Sequence, residues 1–196
     1  MTTAPRTTPT ETDVAVLHLL LQLIAGTYRS PADALRDDLV SGALAEACAA
    51  LAEALDLDAP GLLAPDWTTL QASYIDLFVS SGNGIAAPPY VGYAIDGELM
   101  GPSAQLLGAA FSDHGIELQD AWSDLPDHVA AVAEGGTLLA HGARPEAALA
   151  LLEGYLAPWF ERYATAIEAK DVSGFYGPMT KFLQAAIKEV TREARS

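Results

Sequence analysis

Apolar residues recur at steps of three and four along most of the chain. Near the N-terminus five residues share one helix face in this way: Val14, Leu17, Leu21, Ile24 and Tyr28. Thr10, with Asp13 three residues later, is typical of a capping box at the start of that helix. No segment shows a strand pattern that competes with the helical one. The spacing therefore predicts an all-α protein of roughly eight to ten helices.

Capping and helix-breaking residues divide this pattern into separate helices. Ser30 before Pro31 predicts the start of a short second helix. Asp66 is predicted to cap a helix that ends near residue 80. Pro158 interrupts a long apolar stripe and predicts two helical segments that meet at a bend. A final helix is predicted to begin between residues 175 and 178.

Two segments lack a clear period. Residues 80–101 are rich in Gly and Pro and predict a long loop, and residues 117–128 predict a second loop before a helix that begins at about Pro126. Structureless connections longer than about 15 residues are often functional or disordered. The first loop is expected to be ordered because its apolar residues are costly to leave in water. These residues are Ile85, Tyr90, Val91, Tyr93, Ile95, Leu99 and Met100.

The charge of the chain is concentrated in its middle. The 196 residues include 26 acids and ten bases, which gives a net charge of −16. All of this surplus falls between Asp37 and Ala143, a stretch without Lys or Arg, whereas both ends are neutral. Such a balance repels nucleic acid and anionic lipid headgroups and favours a cationic partner. A solvated acidic surface that only aids solubility is the alternative.

Signals for membrane insertion and for disulfides are weak. The most apolar stretch, residues 14–24, falls short of the ~20 residues that span a bilayer. The polar start predicts a flexible tail over residues 1–10, followed by a single helical domain over residues 11–196. Cys48 is the only cysteine and is expected to pack inside a helix. Together these features predict a cytoplasmic protein without stable membrane insertion.

Motifs for common catalytic chemistry are absent from the sequence. It has no GxxxxGK[ST] phosphate loop, no HExxH motif and no GxSxG elbow. Asp113-His114 and Asp127-His128 are two Asp–His pairs. Adjacent residues of a helix point about 100° apart, so each pair offers at most one inward ligand. A small helical metal-binding or nucleotide-binding protein, or an enzyme that uses these pairs, is kept as an alternative.

Two short motifs are unusual. In YIDLF, residues Tyr74, Leu77 and Phe78 share one helix face and form an apolar surface with a hydroxyl at its edge. In LPDH, Pro126 can begin a helix with Asp127 in its first turn, where Asp127 can orient an imidazole. Taken alone, ordinary core packing is the favoured explanation of the first motif, and a capped helix start is the favoured explanation of the second.

The order of several motifs carries more information than each motif alone. YxxLF, a PPYxxY loop, LMGPS, PDH and PWFxxY follow one another and together resemble the TorD/DmsD/NarJ family of redox-enzyme maturation chaperones over residues 14–190. Leu125 stands where many members have Glu before the proline of the PDH element. This difference points to the chaperones of nitrate-reductase-like or type II dimethyl-sulfoxide-reductase-like molybdoenzymes.

The resemblance implies an all-helical cytoplasmic chaperone that is not an enzyme. Members bind the twin-arginine signal peptide, or the N-terminal part, of an apo molybdoenzyme catalytic subunit. They delay export until the bis-molybdopterin guanine dinucleotide cofactor is loaded into the client. The chaperone itself needs no cofactor or metal, although weak binding of guanine nucleotide is implied by some members. Its long helices and bendable loops allow either a monomer or a domain-swapped dimer.

The resemblance also implies which residues bind the peptide. The groove is expected to be lined by Tyr74, Leu77 and Phe78, its neighbouring wall to be formed by Pro126, Asp127 and His128, and its flank by Pro88, Pro89 and Tyr90. In this hypothesis the Asp127 carboxylate pairs with an arginine of the peptide, and His128 either orients that carboxylate or packs below it. An adaptor that binds a folded partner is a third possibility.

Overall fold

The computed structural model describes residues 10–61, 65–80, 84–119, 122–142 and 144–195. These residues form ten α-helices and two π-helical segments, which confirms the all-α prediction. The helices are α1 (Glu11–Tyr28), α2 (Asp33–Ser41), α3 (Ala43–Ala54), α4 (Trp67–Tyr74), α5 (Val91–Asp96), α6 (Pro102–Asp113), α7 (Val129–His141), α8 (Pro145–Leu151), α9 (Ala157–Glu168) and α10 (Tyr176–Glu193). The π-helical segments are Ile75–Val79, directly after α4, and Leu152–Leu156, between α8 and α9. None of the described helices combines the length and the apolar character needed to cross a membrane.

Helix α1 lies in the middle of the core and contacts α3, α7, α8 and α10. Its side chains Leu20, Leu21 and Ile24 have no exposed surface. In α7, a Cβ atom at Gly136 would lie 3.1 Å from the Leu21 side chain. The glycine therefore lets α1 and α7 pack at short distance.

The starts of the helices show which capping predictions hold. Asp13 N–H donates to Thr10 Oγ1 (3.2 Å) and Thr10 N–H donates to Asp13 Oδ2 (2.8 Å), which confirms the capping box of α1. Asp66 caps α4 as predicted. The prediction for Ser30 was wrong, because the chain stays extended through Ala32 and α2 begins only at residue 33. Residues 1–9, most of the predicted tail, lie outside the described residues.

The predicted interruption of the helix near Pro158 is confirmed as a change in the hydrogen-bond pattern. Pro158 lies in the first turn of α9, directly after the π-helical segment Leu152–Leu156. Proline has no N–H to donate and its ring clashes with the preceding turn, so the hydrogen-bond pattern changes before it. The second π-helical segment, Ile75–Val79, continues α4 without a break and contains most of the YIDLF motif.

The predicted loop over residues 80–101 contains helix α5, which the sequence pattern missed because six residues are too few to show a period. Val91 is completely buried. The expectation that ordering would bury the other apolar residues of this loop was wrong for five of them. They remain 40–54% exposed and are Ile85, Tyr93, Ile95, Leu99 and Met100.

The only cysteine is a packing residue. Cys48 is buried in α3, as predicted, and its Sγ lies 3.8 Å from Met179 Sδ in α10. Burial raises the pKa of the Cys48 thiol to about 11, so the thiol is protonated at neutral pH. Thiolate chemistry at this position is therefore suppressed.

Aromatic rings fill the space between the C-terminal end of α1 and helices α4, α9 and α10. Their centroids lie 5.2–6.3 Å apart, and the cluster consists of Tyr28, Tyr74, Phe78, Phe160, Tyr163 and Tyr176. The hydroxyls in this cluster differ in their partners. Tyr28 Oη donates to Thr180 Oγ1 (2.8 Å), whereas Tyr163 Oη is buried and has no hydrogen-bond partner among the described residues.

Two hydroxyl deletions are expected to act in opposite directions. Tyr28→Phe removes a buried hydrogen bond and should lower the free energy of unfolding by about 1–2 kcal/mol. Tyr163→Phe removes a buried polar atom without a partner and should raise it by up to about 1 kcal/mol. Urea unfolding of both variants measures these changes. Equal destabilisation by the two substitutions would contradict the difference in hydrogen bonding.

Candidate functional site

The two loop segments that the sequence predicts as the wall and flank of a site are joined directly. Tyr90 and His128 form an isolated antiparallel bridge, in which Val129 N–H donates to the Pro89 carbonyl at 2.8 Å. Helix α5 begins directly after Tyr90, and helix α7 begins directly after His128. We call residues 88–90 and 126–128 together the joined loops. They fix the starts of two helices next to each other.

Asp127 holds the start of α5 from outside that helix. Its Oδ2 accepts a hydrogen bond from Gly92 N–H at 2.9 Å, and the side chain is only 1% exposed. A Cβ atom at position 92 would lie 3.2 Å from the same oxygen, so glycine is needed for this contact. The predicted helix start at Pro126 was wrong, because α7 begins three residues later and Asp127 caps a different helix. Pairing with an arginine of a partner would require this loop to open, and it stays a prediction.

His128 is the N-cap of α7. Its Nδ1 accepts a hydrogen bond from Ala130 N–H at 3.1 Å, and 2% of the residue is exposed. The rings of Tyr90 and Trp122 contact it edge-on, with centroids 5.6 and 5.8 Å away. Burial lowers the pKa of His128 to about 4, although the charge of Asp124 acts in the opposite direction. The imidazole is therefore neutral at physiological pH and serves as an acceptor.

Asp124 contacts the joined loops. Tyr90 Oη donates to Asp124 Oδ1 at 3.0 Å. Burial raises the pKa of Tyr74 to about 12, and the negative charge of Asp124 adds to this effect. Sequence reasoning did not select Asp124 as a site residue.

Three side chains of the YIDLF motif lie in the protein core. Tyr74 is 7% exposed, Leu77 is 1% exposed and Phe78 is 2% exposed. Tyr74 Oη donates to the carbonyl of Tyr28 at 3.3 Å, which ties the motif to the end of α1. In this conformation Tyr74 and Phe78 pack against the aromatic rings of Tyr28 and Tyr176. Direct contact between them and a peptide stays a prediction.

A cavity of about 590 Å³ opens between α6, α7 and the segment before the joined loops. Its walls are mostly apolar and include Phe111, Ile116, Leu118, Trp122, Pro126 and Leu138. Arg29, Glu117 and Glu134 supply charged groups at its edge. Among the residues predicted from the sequence, Pro126 lines this cavity. The other lining residues come from distant parts of the chain, so no local motif marks them.

Arg29 lies between an aromatic ring and a carboxylate at the cavity edge. Its guanidinium carbon is 5.6 Å from the centroid of the Trp122 ring, and its Nη2 is 2.8 Å from Glu134 Oε1. Trp122 Nε1–H donates to the Leu125 carbonyl at 3.3 Å, which orients the indole. The segment before the joined loops is therefore attached to both α1 and α7.

The two Asp–His pairs do not converge on one site. His128 uses its Nδ1 to cap α7, and His114 Nδ1 lies 3.3 Å from Arg144 Nη1. Across the described parts of the chain, no three His, Cys, Asp or Glu side chains are grouped so that they could hold a metal ion together. The geometry thus gives the metal-binding alternative no support in these residues.

The helical fold and the joined motif segments define a redox-enzyme maturation chaperone of the NarJ/TorD type, the class that the motifs resemble. The profile of the nitrate reductase delta subunit family matches residues 37–165, more than half of the chain, and the chain belongs to this family. A crystal structure from Archaeoglobus fulgidus, of a protein assigned as a redox enzyme maturation protein, is 23% identical, with a TM-score of 0.58. The alignment covers 91% of this chain and 94% of that chain, which shows a shared fold. A comparison with curated proteins found no match.

Acid should destabilise the protein through His128. Because its pKa is about 4 when folded and about 6.5 when unfolded, the unfolded state binds more protons between these values. The contribution of the neutral His128 to the free energy of unfolding is complete above pH 6.5. It is lost as the pH falls towards 4, by at most about 1.4 kcal/mol per pH unit. His128→Asn keeps a side-chain acceptor for Ala130 N–H without titrating, so it should remove this contribution. Urea unfolding at several pH values measures it.

The control for this experiment is His141→Asn, which changes an exposed histidine at the other end of α7. Carboxylates also titrate in this pH range, but their contribution is common to all three proteins and cancels in the comparison. An equal pH dependence of stability in His128→Asn and the unchanged protein would rule out a buried neutral imidazole.

Proposed function

We propose that the protein binds the N-terminal segment of an apo molybdoenzyme catalytic subunit, including its twin-arginine signal peptide, in the cytoplasm. It holds this client until the bis-molybdopterin guanine dinucleotide cofactor is inserted, and export waits for that step. The proposed activity is binding and not catalysis. At the joined loops the Asp127 and His128 side chains accept hydrogen bonds from helix starts, which is a structural use of both groups.

The observation that carries this proposal is the cavity between α6 and α7. Its apolar walls suit the hydrophobic stretch of a signal peptide, and the carboxylates Glu117 and Glu134 at its edge suit the cationic stretch. At about 590 Å³ it can take a few apolar side chains of an extended or helical peptide. The cavity therefore offers an apolar and an anionic surface, which complement the apolar and the cationic part of such a peptide.

A segment rich in exposed apolar residues supports the same function. Among the described residues, eight of the twelve exposed large apolar side chains lie between residues 75 and 106. They are Ile75, Val79, Ile85, Tyr93, Ile95, Leu99, Met100 and Leu106. Where such side chains form a contiguous patch, they mark an interaction site. An unfolded or partly folded client offers the apolar surface that would cover it.

The charge distribution supports a cationic client. Residues 37–143 carry the whole net charge of −16, and they include both the cavity walls and the joined loops. Long-range attraction of this kind raises association rates and becomes weaker as salt is added. Burial of apolar groups would supply most of the affinity. The acidic residues would raise the association rate and favour cationic over anionic peptides.

Two matched leucine-to-serine substitutions distinguish peptide binding in the cavity from peptide binding elsewhere on the protein. Leu138 lines the cavity and is 58% exposed, whereas Leu106 is 64% exposed in α6 and is not among the lining residues. Leu138→Ser should weaken binding of a labelled twin-arginine signal peptide about five- to tenfold, because part of a leucine burial is lost. Leu106→Ser should change it less than twofold. Fluorescence anisotropy at fixed salt measures both.

Three results would contradict the proposal in different ways. Equal losses in Leu138→Ser and Leu106→Ser would show that the peptide does not depend on the cavity and also uses the exposed apolar segment that includes Leu106. Tight binding of a peptide from the mature part of the client, with none of the signal peptide, would favour an adaptor. Absence of binding to the apo catalytic subunit itself would refute the chaperone function.

The role of Asp127 is tested by Asp127→Asn, which keeps an oxygen acceptor for Gly92 N–H and removes the charge. In the conformation described, where Asp127 caps α5, peptide affinity and its salt dependence should change less than twofold. Direct pairing with an arginine of the client would lower both. Isothermal titration calorimetry at two salt concentrations distinguishes these outcomes.

A further inference from the structure

We propose that the ring of Trp122 and the carboxylate of Glu134 form a binding site for a guanidinium group. In the free protein Arg29 fills this site from within the chain, and an arginine of the client competes with it. The inference rests on the proposed function, since it assigns one subsite to the arginines of the client. It adds that the free protein inhibits its own site with a side chain of the same chemistry.

The geometry around Arg29 is that of guanidinium recognition. Its guanidinium carbon lies 5.6 Å from the Trp122 ring centroid, within the range of a cation–π contact, and Nη2 lies 2.8 Å from Glu134 Oε1. A planar cation can use both partners at once because its face stacks while its edge donates. The indole cannot turn freely, because Trp122 Nε1–H donates to the Leu125 carbonyl.

Arg29 supplies positive charge where the surrounding sequence has none. Trp122 and Glu134 both belong to residues 37–143, which contain no Lys or Arg. Among the described residues that line the cavity, Arg29 is the only cation, while Glu117 and Glu134 are anions. An acidic cavity that accepts the arginine following α1 is suited to accept one from a partner.

The contacts of Arg29 are open enough to be exchanged. Its side chain is 55% exposed and that of Glu134 is 39% exposed, and exposed ion pairs of this kind are weak. Arg29 also borders a second, smaller cavity of about 320 Å³ between α1, α2 and α3, where Asp38 is a lining residue. A displaced Arg29 can therefore turn towards another carboxylate.

The experiment compares two arginines that each stack on a tryptophan. Arg36 lies 5.9 Å from the centroid of the Trp67 ring and does not border the larger cavity, so Arg36→Gln is the matched control for Arg29→Gln. The probes are a labelled twin-arginine signal peptide and the same peptide with both arginines replaced by glutamine. Dissociation constants are measured by fluorescence anisotropy at one salt concentration.

Removal of the internal competitor should strengthen binding of the arginine peptide. Arg29→Gln is expected to lower its dissociation constant about three- to tenfold, because the site no longer has to be vacated. The glutamine peptide should show no such gain, and Arg36→Gln should change neither peptide by more than about twofold. The control loses the same charge, so a general electrostatic effect would appear in both variants.

Glu134→Gln tests the other half of the site. It should weaken binding of the arginine peptide several-fold, leave the glutamine peptide unchanged, and remove most of the gain from Arg29→Gln in the double variant. Glu46→Gln changes an exposed acid in α3 and is the charge-matched control. Thermal unfolding of every variant checks that the fold is kept, and Arg29→Lys retains the charge without the planar stacking if Arg29→Gln is unstable.

The outcomes separate this inference from the proposed function. If both peptides bind the unchanged protein but Arg29→Gln gives no gain specific to the arginine peptide, the guanidinium site is refuted and the chaperone function stands. Equal gains in Arg29→Gln and Arg36→Gln also refute it, since charge alone then explains them. If neither peptide nor the apo catalytic subunit binds any variant, the proposed function itself fails.

Discussion

Two adjacent glycines in α7 set the distances on which the fold and the site both depend. A Cβ atom at Gly136 would lie 3.1 Å from the Leu21 side chain of α1, and one at Gly135 would lie 2.5 Å from the Phe111 ring of α6. Glycine is unfavourable inside a helix, so its presence here reflects the need for close approach on two sides. Because α1 packs closely on α7, Arg29, which directly follows α1, reaches Glu134. Because α6 packs on the other side, its Phe111 becomes a wall of the cavity.

The joined loops add a second constraint, which couples helices that are not neighbours in the chain. Asp127 caps α5 and His128 caps α7, so one short segment satisfies the N–H groups of two helix starts. Tyr90 and Trp122 enclose the imidazole and keep it neutral. The PDH element, which resembles part of a binding site in sequence, therefore also holds two helices together. Any client that opened it would disturb both helices at once.

The sequence predicted well what depends on local spacing. Helices α1 and α10 bury one continuous stripe each, so the period locates them closely, and Pro158 marks a change in the hydrogen-bond pattern because its cause lies within one turn. Long-range causes escaped prediction. The start of α5 is fixed by an oxygen of Asp127, 35 residues away. The cavity likewise combines Arg29 with residues of α6 and α7. Neither the spacing of residues nor the order of motifs predicts that residues so far apart in sequence line one cavity. Leu77 and Phe78 kept the expected face, but that face points into the core.

The buried thiol of Cys48 has a consequence for the conditions under which the protein can work. A chain with one cysteine, enclosed in the core and protonated at neutral pH, offers oxidants neither a reactive thiolate nor a surface sulfur for an intermolecular disulfide. The fold is therefore insensitive to the thiol redox potential of its surroundings. A protein that assists the assembly of electron-transferring enzymes would keep its shape while oxidising and reducing conditions alternate around it.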